Sequence, residues 1–469
     1  MEQAQQLPHH RWLIFGVTAT GTFMATLDAS IVNVTLPIIS GSLKANLPLV
    51  QWVVSAYLLT ISSLLPLFGR AGDMFGRKKI YTLGFLIFTG SSAFCGTSST
   101  IWMLIGSRVI QAIGASMLMA NAPAIVSTTF PGKERGRALG MIGTVVALGS
   151  MVGPGLGGLM VGAWGWQSIF YLNLPIGLLG YTLGQIFLPV EGTRQGETFD
   201  FTGAALFATG MVSLLFLLSH GQEWGWQSPL IGIGSVLTVI MLTLFIYHER
   251  RTAHPMIDLS LFGYWPFLAG NLSGLLSFMA MFSNAMLLPF YLHTILALNP
   301  SRIGLLMTMF PIVMAVVAPL SGYASEKINP MLLTTAGMGV MAIGLVYLAN
   351  LGSFAAMWQV ALGQAILGAG NGLFQSPNNN SVLSSVHPAK LGLASGISAL
   401  VRNVGMVSGI AVAISVFEFR RHAVLQGGIG SEASAFLAAY QAALLVGAGF
   451  AAIAALISLN RKGYMSHRP

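Results

Sequence analysis

Charge is what this sequence lacks. Only 7% of its 469 residues are charged, against 54% hydrophobic, where a water-soluble domain carries roughly 25% charged residues. Water cannot solvate the bulk of such a chain, which excludes a soluble globular protein. Cysteine is nearly absent too. The single Cys95 forms no intrachain disulfide and no cysteine-ligated metal site, and it reads as a small core residue. The stretch Met1 to His10 is polar and lacks the basic segment, short apolar run and cleavage site of a removable signal peptide, so the first apolar run is expected to stay as a span. Low-complexity tracts, Gly-rich phosphate loops and nucleophile-elbow patterns are missing, and the nine histidines are scattered rather than clustered as metal ligands. No catalytic cluster and no sizeable soluble domain remain, so an enzyme is not expected. The net charge of +9 does not imply nucleic acid, because the basic residues sit in short loops between apolar runs, the pattern that orients membrane helices.

What is there is a series of apolar runs, each near the roughly 20 residues a bilayer-spanning helix needs. They fall at 12–36, 49–68, 79–96, 101–128, 138–161 and 169–188, then 202–219 and 229–247, then 266–291, 303–324, 331–350, 355–385, 392–417 and 436–459. The expected fold is therefore all-α and polytopic, with 14 transmembrane helices arranged 6+2+6. Residues 1–188 form a six-helix half, 189–260 hold two linker helices with cytoplasmic connections, and 261–469 form the second half. Abundant glycine, 56 residues, suits close helix packing in lipid.

Assigning Lys and Arg to alternate loops places sixteen of the 22 on the side of the N-terminus and four on the other, with Arg108 and Arg402 inside spans. By the positive-inside rule both termini are cytoplasmic, in the cell membrane. An internal repeat shows as Gly69-Arg-Ala-Gly-Asp73 after span 2 against Gly322-Tyr-Ala-Ser-Glu326 after span 10. Arg108 and Gly114 of span 4 are likewise spaced as Gln364 and Gly370 of span 12. Two pseudo-symmetric halves with a site between them is a transporter plan.

Asp28 is the only acidic residue well inside an expected span, and a lone carboxylate in a bilayer is costly enough to suggest function. It reads either as a proton carrier or as a structural carboxylate in a fixed network. Helix rise places Asp28 and Arg108 at one depth, roughly 10 to 12 Å below the outer face, so Arg108 is its natural partner, or else a staple between helices. Gln111, one turn along, can join the same network. In the loop after span 2, Gly69, Asp73, Gly76 and Arg77 combine a carboxylate, a tight-turn glycine and a basic cluster. Asp73 can pair with Arg77 or cap the next helix, making a clasp between conformations, unless the loop is only a positive-inside anchor. Gly149, Gly153 and Gly157 recur every four residues beside Pro154 and Gly158, a smooth ridge for close packing with a proline kink.

These stretches carry a resemblance. Gly69-x-x-x-Asp73-x-x-Gly76-Arg77-Lys78 resembles the loop signature of the major facilitator superfamily. Leu27-Asp28-Ala-Ser-Ile-Val-Asn33-Val-Thr-Leu-Pro37, Arg108-Val-Ile-Gln111-Ala-Ile-Gly114, Gly149 to Gly158, Phe170-Tyr-Leu-Asn173-Leu-Pro175-Ile-Gly177 and Glu249 to Phe262 extend it to nearly the whole chain. Together they are similar to the fourteen-span drug:proton antiporters of the EmrB/QacA type. The resemblance implies a secondary transporter that exchanges protons for small lipophilic compounds, with Arg108 taking part in proton transfer and the Gly149–Gly158 stretch as the antiporter motif. No cofactor is implied; the proton gradient supplies the energy. An exporter of a lipid, siderophore or metabolite without broad drug recognition is the alternative.

Polar residues expected to line a substrate cavity are Asn33, Ser55, Tyr57, Asn284, Gln364, Asn371, Arg402 and Asn403, with Asn271, Gln375 and Asn378 either lining it or joining helices. Arg402 either contacts an anionic or polar substrate or binds carbonyls between helices. Ser55 in span 2 and Arg402 in span 13 stand where some relatives that expel quaternary cations carry carboxylates, so dicationic drugs are not the expected substrates. Gln167 after Trp166 departs from the family's usual Trp-Arg.

Overall fold

The computed structural model describes residues 8–190, 200–225, 228–252, 259–325, 327–386, 391–427 and 431–460. Arg194, Asp258, Lys390, Arg461, Lys462 and Arg468, and the side chains of Lys133, Arg135 and Arg137, lie outside what is described. Among the described residues all regular structure is helical. Among the described residues five helices open on a side-chain cap: Asn46, Thr100, Asn299, Asn329 and Ser431 each accept a backbone N–H from the first turn that follows. Gly76, with φ +95°, makes the break between the second long helix and the third, a conformation that costs a side chain-bearing residue.

The first compact unit covers Met1–Phe201. It contains α1 (Pro8–Ser42), a turn α2 (Leu47–Val50), α3 (Trp52–Phe75), α4 (Arg77–Gly96), α5 (Ile101–Thr129), α6 (Gly132–Trp164), a turn α7 (Ser168–Tyr171) and α8 (Asn173–Phe187). Here α1 packs on α6, α5 and α8, while α5 packs on α3 and α4, and α4 on α8. The second unit, Thr202–Pro469, holds most of α9 (Phe201–Trp224), then α10 (Pro229–Glu249), α11 (Trp265–Phe290), α12 (Pro300–Ala324), α13 (Pro330–Ala349), α14 (Met357–Ser384), α15 (Leu391–Gln426) and α16 (Glu432–Leu459). In it α11 packs on α15 and α16, and α14 on α12 and α13. The pair α9 and α10 is clasped by Thr238 Oγ1, which donates to Ser213 Oγ at 2.7 Å.

Among the described residues eleven helices are long and apolar enough to cross a bilayer. The helices α4, α9 and α14 are not among them. The helix α4 opens on Arg77, Lys78 and Lys79, while its Ser91 and Ser92 are buried; on α14, Gln364, Asn371 and Asn378 are polar and buried, and Asn379 and Asn380 are exposed.

Glycine seams repeat between the units. In the first, a methyl group at Gly114 of α5 would lie 2.6 Å from Phe88 N of α4; in the second, one at Gly370 of α14 would lie 2.6 Å from Met341 N of α13. Gly149 and Gly153 of α6 sit on α1, where methyl groups would meet Leu27 N and Ile31 N at 3.1 Å; Gly405 and Gly409 of α15 sit on α11, against Leu275 O at 2.7 Å and Met279 O at 2.6 Å. This register puts Ala280 where the first unit has Asp28, and Gln364 where it has Arg108. The packing is duplicated and the charges are not.

Candidate functional site

Five helices of the first unit converge on Asp28, which is 1% exposed on α1. Arg108 and Gln111 come from one face of α5. Arg108 Nη1 is ion-paired with Asp28 Oδ2, and its Nε donates to the Val53 carbonyl of α3 at 3.0 Å. The guanidinium lies 3.9 Å above the Tyr57 ring and 5.9 Å from that of Phe170. The other carboxylate oxygen, Oδ1, accepts from Gln111 Nε2 at 3.0 Å and from Asn173 Nδ2, at the start of α8, at 2.8 Å. Gln111 also donates to Ser92 Oγ of α4 at 2.7 Å and accepts from Arg108 and, at 3.7 Å, from the Cys95 thiol. An ionised carboxylate only accepts, so one guanidinium and two amides satisfy it. Arg108 Nη2 is buried with no partner among the described residues, leaving one donor of the cluster uncommitted.

Sequence reasoning names Asp28, Arg108 and Gln111, and the structure brings the three together. It places Tyr57, expected in a substrate cavity, under Arg108, with its hydroxyl donating to Ala25 O at 3.3 Å. Asn173, Ser92 and Cys95 were missed as members of the cluster. The available signal was Asn173 itself, a polar residue opening an apolar span.

Across the junction at Gly76, Asp73 Oδ1 in the last turn of α3 accepts from Arg77 Nε at 3.0 Å and Nη2 at 2.7 Å at the start of α4. Arg77 Nη1 reaches the Ala124 carbonyl of α5 at 3.4 Å. Of the two options for Asp73 the ion pair is found, and α4 has no side-chain cap. Gly69 lies beside Ala120, where a methyl group would be 3.9 Å away, as Gly322 lies beside Ser376 in the second unit. On α6, Ser30 Oγ donates to Gly149 O at 3.1 Å, Gly157 packs on Ile31, and Pro154 and Gly158 are buried within the helix. The glycine ridge is thus seated on the stretch of α1 that carries Asp28.

The family model described as Major Facilitator Superfamily matches residues 18–410 and 270–463. The chain belongs to the major facilitator superfamily. It is 38% identical over 408 residues to the riboflavin transporter RibZ of Clostridioides difficile, covering 87% of this chain and 88% of that one. It is 31% identical over 404 residues to the multidrug transporter protein MdtP of Bacillus subtilis, covering 85% and 74%. The crystal structure of the POT family transporter PepTSo superposes with a TM-score of 0.70 at 15% identity, covering 97% of each chain, a likeness of fold. The chain is a multi-pass membrane transporter of the major facilitator type.

In the second unit of this facilitator the expected cavity residues divide into two groups. Asn271, Asn371 and Asn378 are engaged: Asn271 Oδ1 accepts from Ser398 Oγ at 3.2 Å, Asn371 Nδ2 points to Met281 Sδ at 3.5 Å, and Asn378 Nδ2 donates to Gly270 O at 3.2 Å. Asn284 Oδ1, Gln364 Nε2 and Asn403 Nδ2 are buried with no partner among the described residues. In the first unit Ser55 Oγ is in the same condition, and Asn33 is half-buried on α1. Arg402 is half-buried on α15. A carboxylate absent from the expected site also appears: Glu418 is 8% exposed, 3.8 Å from His422 Nε2. The apolar run ends at 417, but α15 continues to Gln426 and carries Glu418 into the packed region.

Proposed function

We propose that this facilitator is a proton-coupled antiporter of the fourteen-span type, expelling small lipophilic compounds across the cell membrane, with both termini cytoplasmic and no cofactor. The observation that carries the reading is Asp28, a carboxylate buried among apolar helices and held by Arg108, Gln111 and Asn173. A buried carboxylate with several withdrawable donors suits alternate binding and release of a proton, and the seating of the Gly149–Gly157 ridge on α1 gives helix movement a route to it. The pair of Asp73 and Arg77 serves as a clasp that is broken and remade between conformations. The similarity to MdtP supports a drug substrate. In proteoliposomes with an imposed pH gradient, ethidium and riboflavin are the probes; Asp28→Asn is expected to abolish gradient-driven movement of the transported probe while the protein inserts normally. Normal pumping by that variant would remove the proton role from Asp28.

A second reading is favoured by the similarity to RibZ: export of a flavin-like metabolite without broad drug recognition. Under it riboflavin is moved, ethidium is not, and cells expressing the chain show no drug resistance.

A further inference from the structure

Two guanidinium groups, those of Arg108 and Arg402, lie inside the apolar runs, and among the described residues only one of the two is ion-paired. Arg108 has Asp28. Arg402 of α15 has no ion pair, hydrogen bond or ring contact among the described residues. Its position makes this informative. One turn earlier, Ser398 Oγ donates across to Asn271 of α11; one turn later, Gly405 lets the Leu275 carbonyl of α11 come so close that a methyl group would lie 2.7 Å from it. Arg402 lies near that same face of α15. A staple between helices would bond the carbonyls of α11, and no such bond is made among the described residues. The side-chain amide of its chain neighbour is idle as well: Asn403 Nδ2 is buried without a partner among the described residues, as are Ser277 Oγ on α11 and Gln375 Oε1 on α14.

A guanidinium in this setting is costly unless it meets an acceptor or water. Its planar fork of five donors fits a carboxylate, a phenolate or paired carbonyl oxygens, and it repels a fixed cation. We propose that Arg402 is the second unit's contact for the transported compound and reads an anionic or carbonyl oxygen group on it. The substrate class is then acceptor-bearing lipophiles rather than quaternary or other permanent cations. This rests on the transport reading above and adds to it the chemistry of the cargo.

The test is equilibrium binding to the full chain in proteoliposomes at one pH on both sides. The probes are acceptor-bearing compounds, including fluorescein (carboxylate and phenolate) and riboflavin (paired carbonyls), with ethidium as the cation. Wild type is expected to bind at least one acceptor probe more tightly than ethidium. Arg402→Gln should weaken that binding at least about tenfold, the scale of one charged hydrogen bond, and leave ethidium unchanged or tighter. Arg402→Lys, which keeps the charge and loses the fork, should fall between. The thermal midpoint of each solubilised variant separates lost contact from lost fold. Undiminished acceptor binding by a folded Arg402→Gln, preference of wild type for ethidium, or no binding of any acceptor probe overturns the proposal. Transport under a pH gradient in the same liposomes keeps the two readings apart. Arg402-dependent binding without proton coupling overturns only the antiport reading, and proton-driven transport of the acceptor probe by Arg402→Gln with undiminished affinity overturns only this one.

Discussion

Asn173 and Arg108 hold different oxygens of one carboxylate: the amide donates to Asp28 Oδ1 at 2.8 Å while the guanidinium takes Oδ2. Because Asn173 opens α8, Asp28 is tied to a helix whose far end is tied elsewhere. There the Gln185 carbonyl accepts from Lys78 Nζ at 2.7 Å, and Gln185 Nε2 donates to Thr82 Oγ1 at 3.3 Å. One helix therefore touches both the carboxylate cluster and the end of the Gly69–Lys79 loop.

Replacing Asn173 by Leu keeps the volume and removes the donor. Gradient-driven transport is expected to fall roughly tenfold, the scale of one hydrogen bond to a charged group. The specific check is infrared: the carbonyl stretch of protonated Asp28, identified by its absence in Asp28→Asn, should move to higher frequency in Asn173→Leu. An unmoved band would leave Asn173 only a structural role.

Removing one member of the buried ion pair should cost more than removing both. Arg108→Met strands a carboxylate among apolar helices, a loss of about 3 to 5 kcal/mol, whereas Arg108→Met with Asp28→Leu restores much of it. Thermal unfolding of the solubilised proteins orders the three. A double variant no more stable than the single one would contradict direct pairing as the main interaction.

The pair of Asp73 and Arg77 is partly exposed, with side chains 31% and 14% accessible, and calls for a small effect. A double-mutant cycle with Asp73→Asn and Arg77→Gln is expected to give a coupling of about 0.5 to 1 kcal/mol in unfolding. The transport rate should change more than the stability does. A coupling near zero in both measurements would remove the clasp.

Close packing makes two glycines intolerant and one indifferent. Gly153→Val forces α6 away from α1, and Gly409→Val forces α15 away from α11, each costing about 1 to 3 kcal/mol by overpacking. Gly143 on α6 has open space where its side chain would be, so Gly143→Ala should stabilise by up to about 1 kcal/mol. Equal thermal midpoints for all three would show the seams to be loose.

The rarity of charge made the centre of the site legible before the fold was known. With one carboxylate deep in an apolar run and few cations to answer it, Asp28 and Arg108 had little choice of partner. Asn173 was hidden because an amide gains meaning only from the register of α8 against α1, which is set by tertiary packing. The stacking of Tyr57 was hidden for a related reason: hydropathy locates α3 but not its rotation, and the rotation puts that ring under Arg108. Glu418 escaped because polar residues end an apolar run without ending a helix. The helix α14 shows the converse, since Gln364, Asn371 and Asn378 are polar yet buried and make a packed helix look poorly apolar. The repeat was visible in two short echoes, but the correspondence of Gly149 and Gly153 with Gly405 and Gly409 emerged only from what each glycine touches.

Duplicated seams without duplicated charges give this chain a division of labour that can be manipulated. Substitutions around Ala280, Gln364 and Arg402 act on a frame whose glycine joints match those of the first unit, yet they leave the Asp28 cluster untouched. If Arg402 reads the cargo and Asp28 carries the proton, as proposed above, cargo preference and energy source form separate modules, and retuning one by directed evolution need not sacrifice the other.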